Sequence, residues 1–199
     1  MIAMPIKTEI TAADIMPIDE YTKIRKERRT AMMPVKKARR MDIGPVATAY
    51  FENYETMLHQ VHEMLYIEKG GDEQLKDELG AYNPLIPKGR ELVATVMFEI
   101  DDPIRRANFL GRLGGVEETM FLKFGEHEVK GQPEEDVDRT NAAGKASSVQ
   151  FIHFPMTDAE AEAFKTENTQ VIIGFTHPEY AHMTIMPEGT RAALAGDLA

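Results

Sequence analysis

The sequence predicts an α+β fold: an N-terminal helical segment followed by a largely antiparallel sheet covered by helices. Two observations carry this. An apolar stripe with a 3.6-residue period runs through residues 53–69, formed by Tyr54, Met57, Leu58, Val61, Met64 and Leu65. From Glu91 onward, short apolar segments bounded by Gly, Pro and Asn alternate with short capped helices. The 199 residues read as one domain, 1–199, with a mainly helical part over 14–90 and a sheet part over 91–199.

In order, residues 14–32 are predicted as a first helix. Pro17 suits its first turn, and Ile18, Tyr21, Ile24 and Met32 give it a loose apolar stripe. Pro34 interrupts it, and a short basic helix continues to Arg40. Val46–Phe51 is a strand. The helix from Asn53 ends at Gly70-Gly71 and a shorter one covers Asp72–Leu79. Tyr82 to Pro87, with two prolines, is predicted to be an extended linker.

Leu92–Ile100 is apolar on both faces, as a central strand requires. Asp102-Pro103 caps a helix running to about Leu113. The strands Val116–Phe124 and His127–Lys130 follow. After a stretch near 131–147 whose composition suggests disorder, the order recurs: a strand at Val149–Phe154, a helix with a Thr157/Glu160 capping box, and strands at Gln170–Phe175 and Ala181–Met186. A last helix starts near Pro187. Two tandem β-α-β-β units, with Val96 lying opposite Val149, explain this order; chance alternation of short elements is the other explanation.

The chain has no cysteine, so it cannot itself hold an iron–sulfur cluster, a thiolate nucleophile or a disulfide. A divalent metal would have to sit on His, Asp or Glu. No segment approaches the ~20 apolar residues of a membrane span, and residues 1–11 lack a signal-peptide core, so cytoplasm is the expected location. Between Lys23 and Arg40 nine Lys or Arg face one Glu. The net charge of −10 therefore leaves −18 on the remainder. Such a body is a poor partner for nucleic acid. The basic segment either docks on something negative or pairs with this chain's own acids.

Chemistry concentrates on the Asn53 helix. His59, His62, Glu63 and Tyr66 form a stripe opposite the apolar face, preceded by Glu52 and Glu55. One-turn spacings place His59 with Glu63 and His62 with Tyr66, which suits metal ligands; solvated surface and subunit contact are the competing readings. Metal ligation by His59, His62 and Glu63, or catalysis by Glu63 and Glu52, requires this helix to be covered on its charged side too. His153, on an apolar strand face, is expected to be a hydrogen-bonded core residue.

Asp14-Ile-Met-Pro with Tyr21 and the Arg-Lys-Glu-Arg-Arg run resembles the start of the bacterial family labelled domain of unknown function 3501. Phe51-Glu52-Asn53, Thr56, Gln60, Glu63-Met64-Leu65, the run Ala81 to Pro87, Glu91 to Thr95 and Gly115 to Glu118 are similar to it too, in order along nearly the whole chain. The resemblance brings no activity. It implies a setting beside an iron–sulfur oxidoreductase and a rubrerythrin-like protein, and so an accessory role in a redox or oxidative-stress module. It also implies a site drawing on Glu52, Asn53, Gln60, Glu63, Tyr82 and Asn83 in preference to the two histidines. Alternatives are a small-molecule or metal-dependent enzyme with its pocket between the Asn53 helix and the sheet, and a homo-oligomeric, for instance dimeric, structural module.

Overall fold

The computed structural model describes residues 6–134, 140–142 and 144–199. Helix α1 spans Ile18–Ala38, and Pro34 does not break it. Pro34 removes a backbone donor, but it lies on the exposed side of the helix, where water can satisfy the freed carbonyl. The basic helix expected to reach Arg40 ends at Ala38, and Arg40–Ile43, mostly beyond that prediction, is strand β1, whose alternation buries Met41 and Ile43. Strand β2 (Ala47–Glu52) returns antiparallel to it.

Helix α2 (Tyr54–Glu68) starts at a reciprocal cap: Asn53 Oδ1 accepts from the Thr56 amide, and Thr56 Oγ1 accepts from the Asn53 amide. It ends one residue before the predicted glycines, on Lys69 in the left-handed conformation. Helix α3 (Gly71–Tyr82) is longer than predicted and runs into a 3-10 turn, Asn83–Leu85. The predicted extended linker is therefore a helical turn over this stretch. Pro84 suits a first helical position, and the Asn83 side chain holds the backbone there by bonding both the amide and the carbonyl of Ile10, at 2.7 and 2.9 Å.

Strand β3 (Glu91–Phe98) leads to α4 (Pro103–Leu110), capped by Asp102, whose carboxylate accepts from the Arg105 amide at 2.6 Å. A 3-10 turn over Val116–Glu118, entered through Gly115, replaces the first residues of the next predicted strand, so that β4 is Met120–Phe124. Then come β5 (His127–Lys130), β6 (Gln132–Pro133), β7 (Val149–Pro155), α5 (Asp158–Lys165), β8 (Val171–Phe175), β9 (Met183–Ile185) and α6 (Glu188–Ala195). Of the stretch expected to be disordered, residues 135–139 and 143 lie outside the described residues. The rest contributes β6 and a bridge between Thr140 and Ala146.

The strands form two antiparallel sheets, β1-β2-β3-β7-β6 and β5-β4-β8-β9. The β-α-β-β order does occur twice, as β3-α4-β4-β5 and β7-α5-β8-β9. The first strands of the two units pair with each other, and so do the second strands. The expected register is off by one: Val96 pairs with Gln150, and Val149 with Met97. That step turns Gln150 toward the space between the sheets and Val149 toward the helices. One core fills the space between the sheets, with Phe51, Leu92, Val96 and Phe154 of the first meeting Leu122, Phe124, Ile173 and Phe175 of the second. A second core lies on the opposite face of the first sheet, where Met57 and Val61 of α2 pack with Val93, Leu85 and Ile86, and Phe151 packs against them. The first sheet is thus covered on both faces, and its helix-covered face carries the candidate site.

Candidate functional site

On that face, successive outward residues of three neighbouring strands line up in register. Tyr50 lies opposite Thr95, which lies opposite Phe151; Thr48, Met97 and Val149 form the next row. Above them, α2 is lifted enough to leave a cavity of about 380 Å³. Its floor is Tyr50, Glu52, Thr95, Met97, Val149 and Phe151. Its roof is Thr56, Met57 and Gln60 of α2, with Tyr82 and Leu85 at one side and Lys36 and Arg39 of the α1 end at the other. This is a concave, mainly apolar space with a few polar groups, the usual character of a small-ligand site.

Glu52 is its chemical centre. The residue is only 9% exposed, and its two carboxylate oxygens accept from different hydroxyls: Thr56 Oγ1 at 2.7 Å and Thr95 Oγ1 at 2.8 Å. Burial pushes its pKa above the ordinary carboxylate range, against the two hydroxyl donors and the nearby positive charges of Lys36 and Arg39. Glu52 is therefore fixed in place while its charged form is penalised, the condition under which a carboxyl group exchanges protons or binds a donor strongly. Burial likewise raises the phenols of Tyr50 and Tyr82, and Tyr82 also bonds Gln60.

Arg39 lines this cavity, but four of its five guanidinium N–H groups are engaged. It donates to the backbone oxygens of Phe51, Glu52 and Ala193 and pairs with the Asp197 carboxylate. Lys36, in contrast, is exposed, and its ammonium makes no hydrogen bond or ion pair among the described residues.

The predicted site residues separate into two groups. Glu52, Gln60 and Tyr82 meet in the cavity. Glu63, His59 and His62 lie on the other side of α2, beneath α1, so the charged stripe is covered, as a site there required. It is covered by partners from the same chain. Glu63, 13% exposed at its side chain, receives a two-pronged contact from Arg25 at 2.9 and 2.8 Å and a hydrogen bond from the Tyr21 hydroxyl at 2.7 Å. Burial would raise its pKa, but these donors outweigh that and hold it below the ordinary value. Both nitrogens of the His62 ring are engaged: Nδ1 donates to the Leu58 carbonyl at 2.8 Å and Nε2 accepts from the Met16 amide at 3.0 Å. The same ring stacks on Tyr21 at 4.8 Å. His59 is buried, and its Nδ1 has no hydrogen-bond partner among the described residues. Burial lowers the pKa of both histidines. Among the described residues, no three His, Asp or Glu side chains converge as a metal site.

Asn53 and Asn83 have structural partners, the α2 cap and the Ile10 backbone respectively. His153 is on the helix-covered face with Val149 and Phe151, where its Nδ1 meets Glu91 at 2.9 Å. The sequence pointed to no site role for Thr95 or Tyr50, and to Lys36 only as part of the basic segment Lys23–Arg40. Thr95 had a legible signal, being the one polar residue within the apolar run Leu92–Phe98.

No helix among the described residues is long and apolar enough to cross a membrane. The family model described as Protein of unknown function (DUF3501) matches residues 9–198. The chain is also similar to a solved structure, described as the crystal structure of a novel protein of unknown function from Burkholderia pseudomallei K96243 at 1.90 Å resolution. The two share 34% sequence identity over 96% of this chain and 99% of that one, with a TM-score of 0.89. No curated protein matches the chain.

Proposed function

We propose that this chain, which belongs to the DUF3501 family, is a small-molecule-binding protein that holds its ligand between α2 and the first sheet, with Glu52 as the group that bonds the ligand or exchanges a proton with it. One observation carries this reading. A carboxyl group that folding could have left in water is instead buried at the floor of a cavity, held by two threonine hydroxyls. Burying an acid without a salt bridge costs stability, and such costs concentrate where a protein binds or reacts. A fragment screen read by methyl NMR tests it. Ligands should shift the methyl signals of Met57, Leu85, Met97 and Val149 in wild type, and those shifts should weaken in Glu52→Gln. Hits scattered over the outer surface, with these methyls unmoved, would overturn the reading.

Docking by α1 is a second reading, favoured by a different observation. Arg25 and Arg39 pair within the chain, whereas Lys23, Lys26, Arg28 and Lys37 make no ion pair among the described residues and Met33 stands 69% exposed beside them. A basic helix with these four charges unspent suits an acidic protein surface. The iron–sulfur oxidoreductase and the rubrerythrin-like protein implied by the family resemblance are the partners to test. Pull-down at low salt should succeed and should fail at high salt or with Lys23, Lys26 and Lys37 all changed to Glu. Retention by the charge-reversed protein would remove this reading.

A further inference from the structure

The cavity is graded from one side to the other, and this inference rests on the pocket reading while adding the ligand's chemistry. Along the row Tyr50, Thr95 and Phe151, polarity falls from phenol to hydroxyl to phenyl across three strands, a span of about 10 Å. Glu52 continues the polar edge on β2. Met97 and Val149 extend the apolar part, and Met57 and Leu85 close over it. Above the polar edge stands Lys36, whose ammonium has no partner among the described residues and lies near enough for its charge to act on both Glu52 and His59. Arg39, the other cation lining the cavity, already commits four of its five N–H groups within the chain.

The polar edge therefore presents two opposite, separately mounted functions. One is a fixed carboxyl acceptor in the floor, and the other is an exposed ammonium at the rim. A ligand carrying only an amine meets Glu52 favourably but is repelled by Lys36. A ligand carrying only a carboxylate meets Lys36 but is opposed by Glu52. A molecule with both groups on one end satisfies the pair, and its apolar body then falls against Phe151, Met97 and Val149. We infer that the cavity takes an amino-acid-like ligand: an ammonium or N–H donor for Glu52, an adjacent carboxylate for Lys36, and an apolar or aromatic side chain.

Calorimetric titration of the full chain at pH 7.5 with three probes of one shape tests this: phenylalanine, 3-phenylpropionate and 2-phenylethylamine. Phenylalanine should bind at least ten-fold tighter than either of the others. Lys36→Met should abolish its advantage over the amine, and Glu52→Gln its advantage over the acid, each variant retaining the wild-type circular dichroism spectrum. Equal affinities for phenylalanine and 2-phenylethylamine, unchanged by Lys36→Met, would overturn the ligand assignment and leave the pocket reading standing. Absence of binding by all three probes at millimolar concentration would also overturn the assignment. The pocket reading would then be judged separately, by whether unrelated fragments still move the cavity methyls.

Discussion

Arg39 and Asp197 are 158 residues apart in sequence and form a buried ion pair. The pair ties the end of α1 to the segment after α6, and the same guanidinium bonds the backbone oxygens of Phe51 and Glu52. The cavity carboxyl thus sits on a strand end clamped by the end of α1 and the segment after α6. Burial raises the Asp197 pKa even against the charge of Arg39, so the pair sits in a poorly solvated place. Asp197→Ala leaves the guanidinium buried without its counter-charge and should cost about 3 kcal/mol in urea unfolding. Adding Arg39→Met should recover part of that loss.

Glu63 should behave as a structural residue. Replacing it by Gln removes the charge that receives Arg25 and Tyr21, and a loss of about 2 kcal/mol is expected, since hydrogen bonds to charged groups are the stronger kind. Its folded pKa is depressed, so its contribution is present above the ordinary carboxylate value and disappears as pH falls through the folded one. Stability measured at pH 7 and at pH 3 should therefore show a smaller gap between wild type and variant at the lower pH. Ligand binding in the cavity should be retained by Glu63→Gln.

Glu52 should show the opposite trend. Its folded pKa is raised, so the folded state holds the proton more tightly than the unfolded chain does. Its contribution is most favourable below the ordinary carboxylate value and declines as pH rises through the folded pKa. Glu52→Gln keeps the shape and removes the ionisation. Its thermal midpoint relative to wild type should rise between pH 5 and pH 8, although ligand binding is weakened. That is the exchange expected where a functional group is retained at a cost in stability.

His62 links the segment before α1 to α2 only while neutral, because its Nε2 must accept from the Met16 amide. Its folded pKa is lowered by burial, so the unfolded chain binds the proton more readily and this contribution is lost as pH falls below the ordinary histidine value of about 6.5. The stability difference between wild type and His62→Ala should be largest at pH 8 and shrink toward pH 5. Amide exchange at Met16 should accelerate in step.

The fold was legible where one physical rule dominated. The apolar period of α2, the Asp102 cap and the Thr157/Glu160 capping box were each readable because the signal is local. Strand β1 was missed because Arg40 continues a basic run, although Met41 and Ile43 alternate with polar neighbours as an exposed-edge strand should. Pro34 and Pro84 misled for one reason. A proline constrains its neighbours only as far as surroundings fail to compensate, and solvent at one site and the Asn83–Ile10 bonds at the other do so. For the site, Glu52, Gln60 and Tyr82 were nominated, but so were residues on the opposite side of the same helix. A helical wheel separates faces; it cannot say which of two polar faces meets a sheet and which meets another helix. Only long-range register brings Thr95 and Phe151 beside Glu52.

The pairing of equivalent strands between the two β-α-β-β units has a consequence for ancestry and engineering. Because β3 runs against β7 and β4 against β8, the two units meet strand for strand, as two copies in a two-fold dimer would. A lone half-length polypeptide could close the same double ladder with an identical copy of itself. Fusion of the copies would then free each to diverge, one strand acquiring Thr95 beneath the cavity while its counterpart took up Phe151 and the greasy wall.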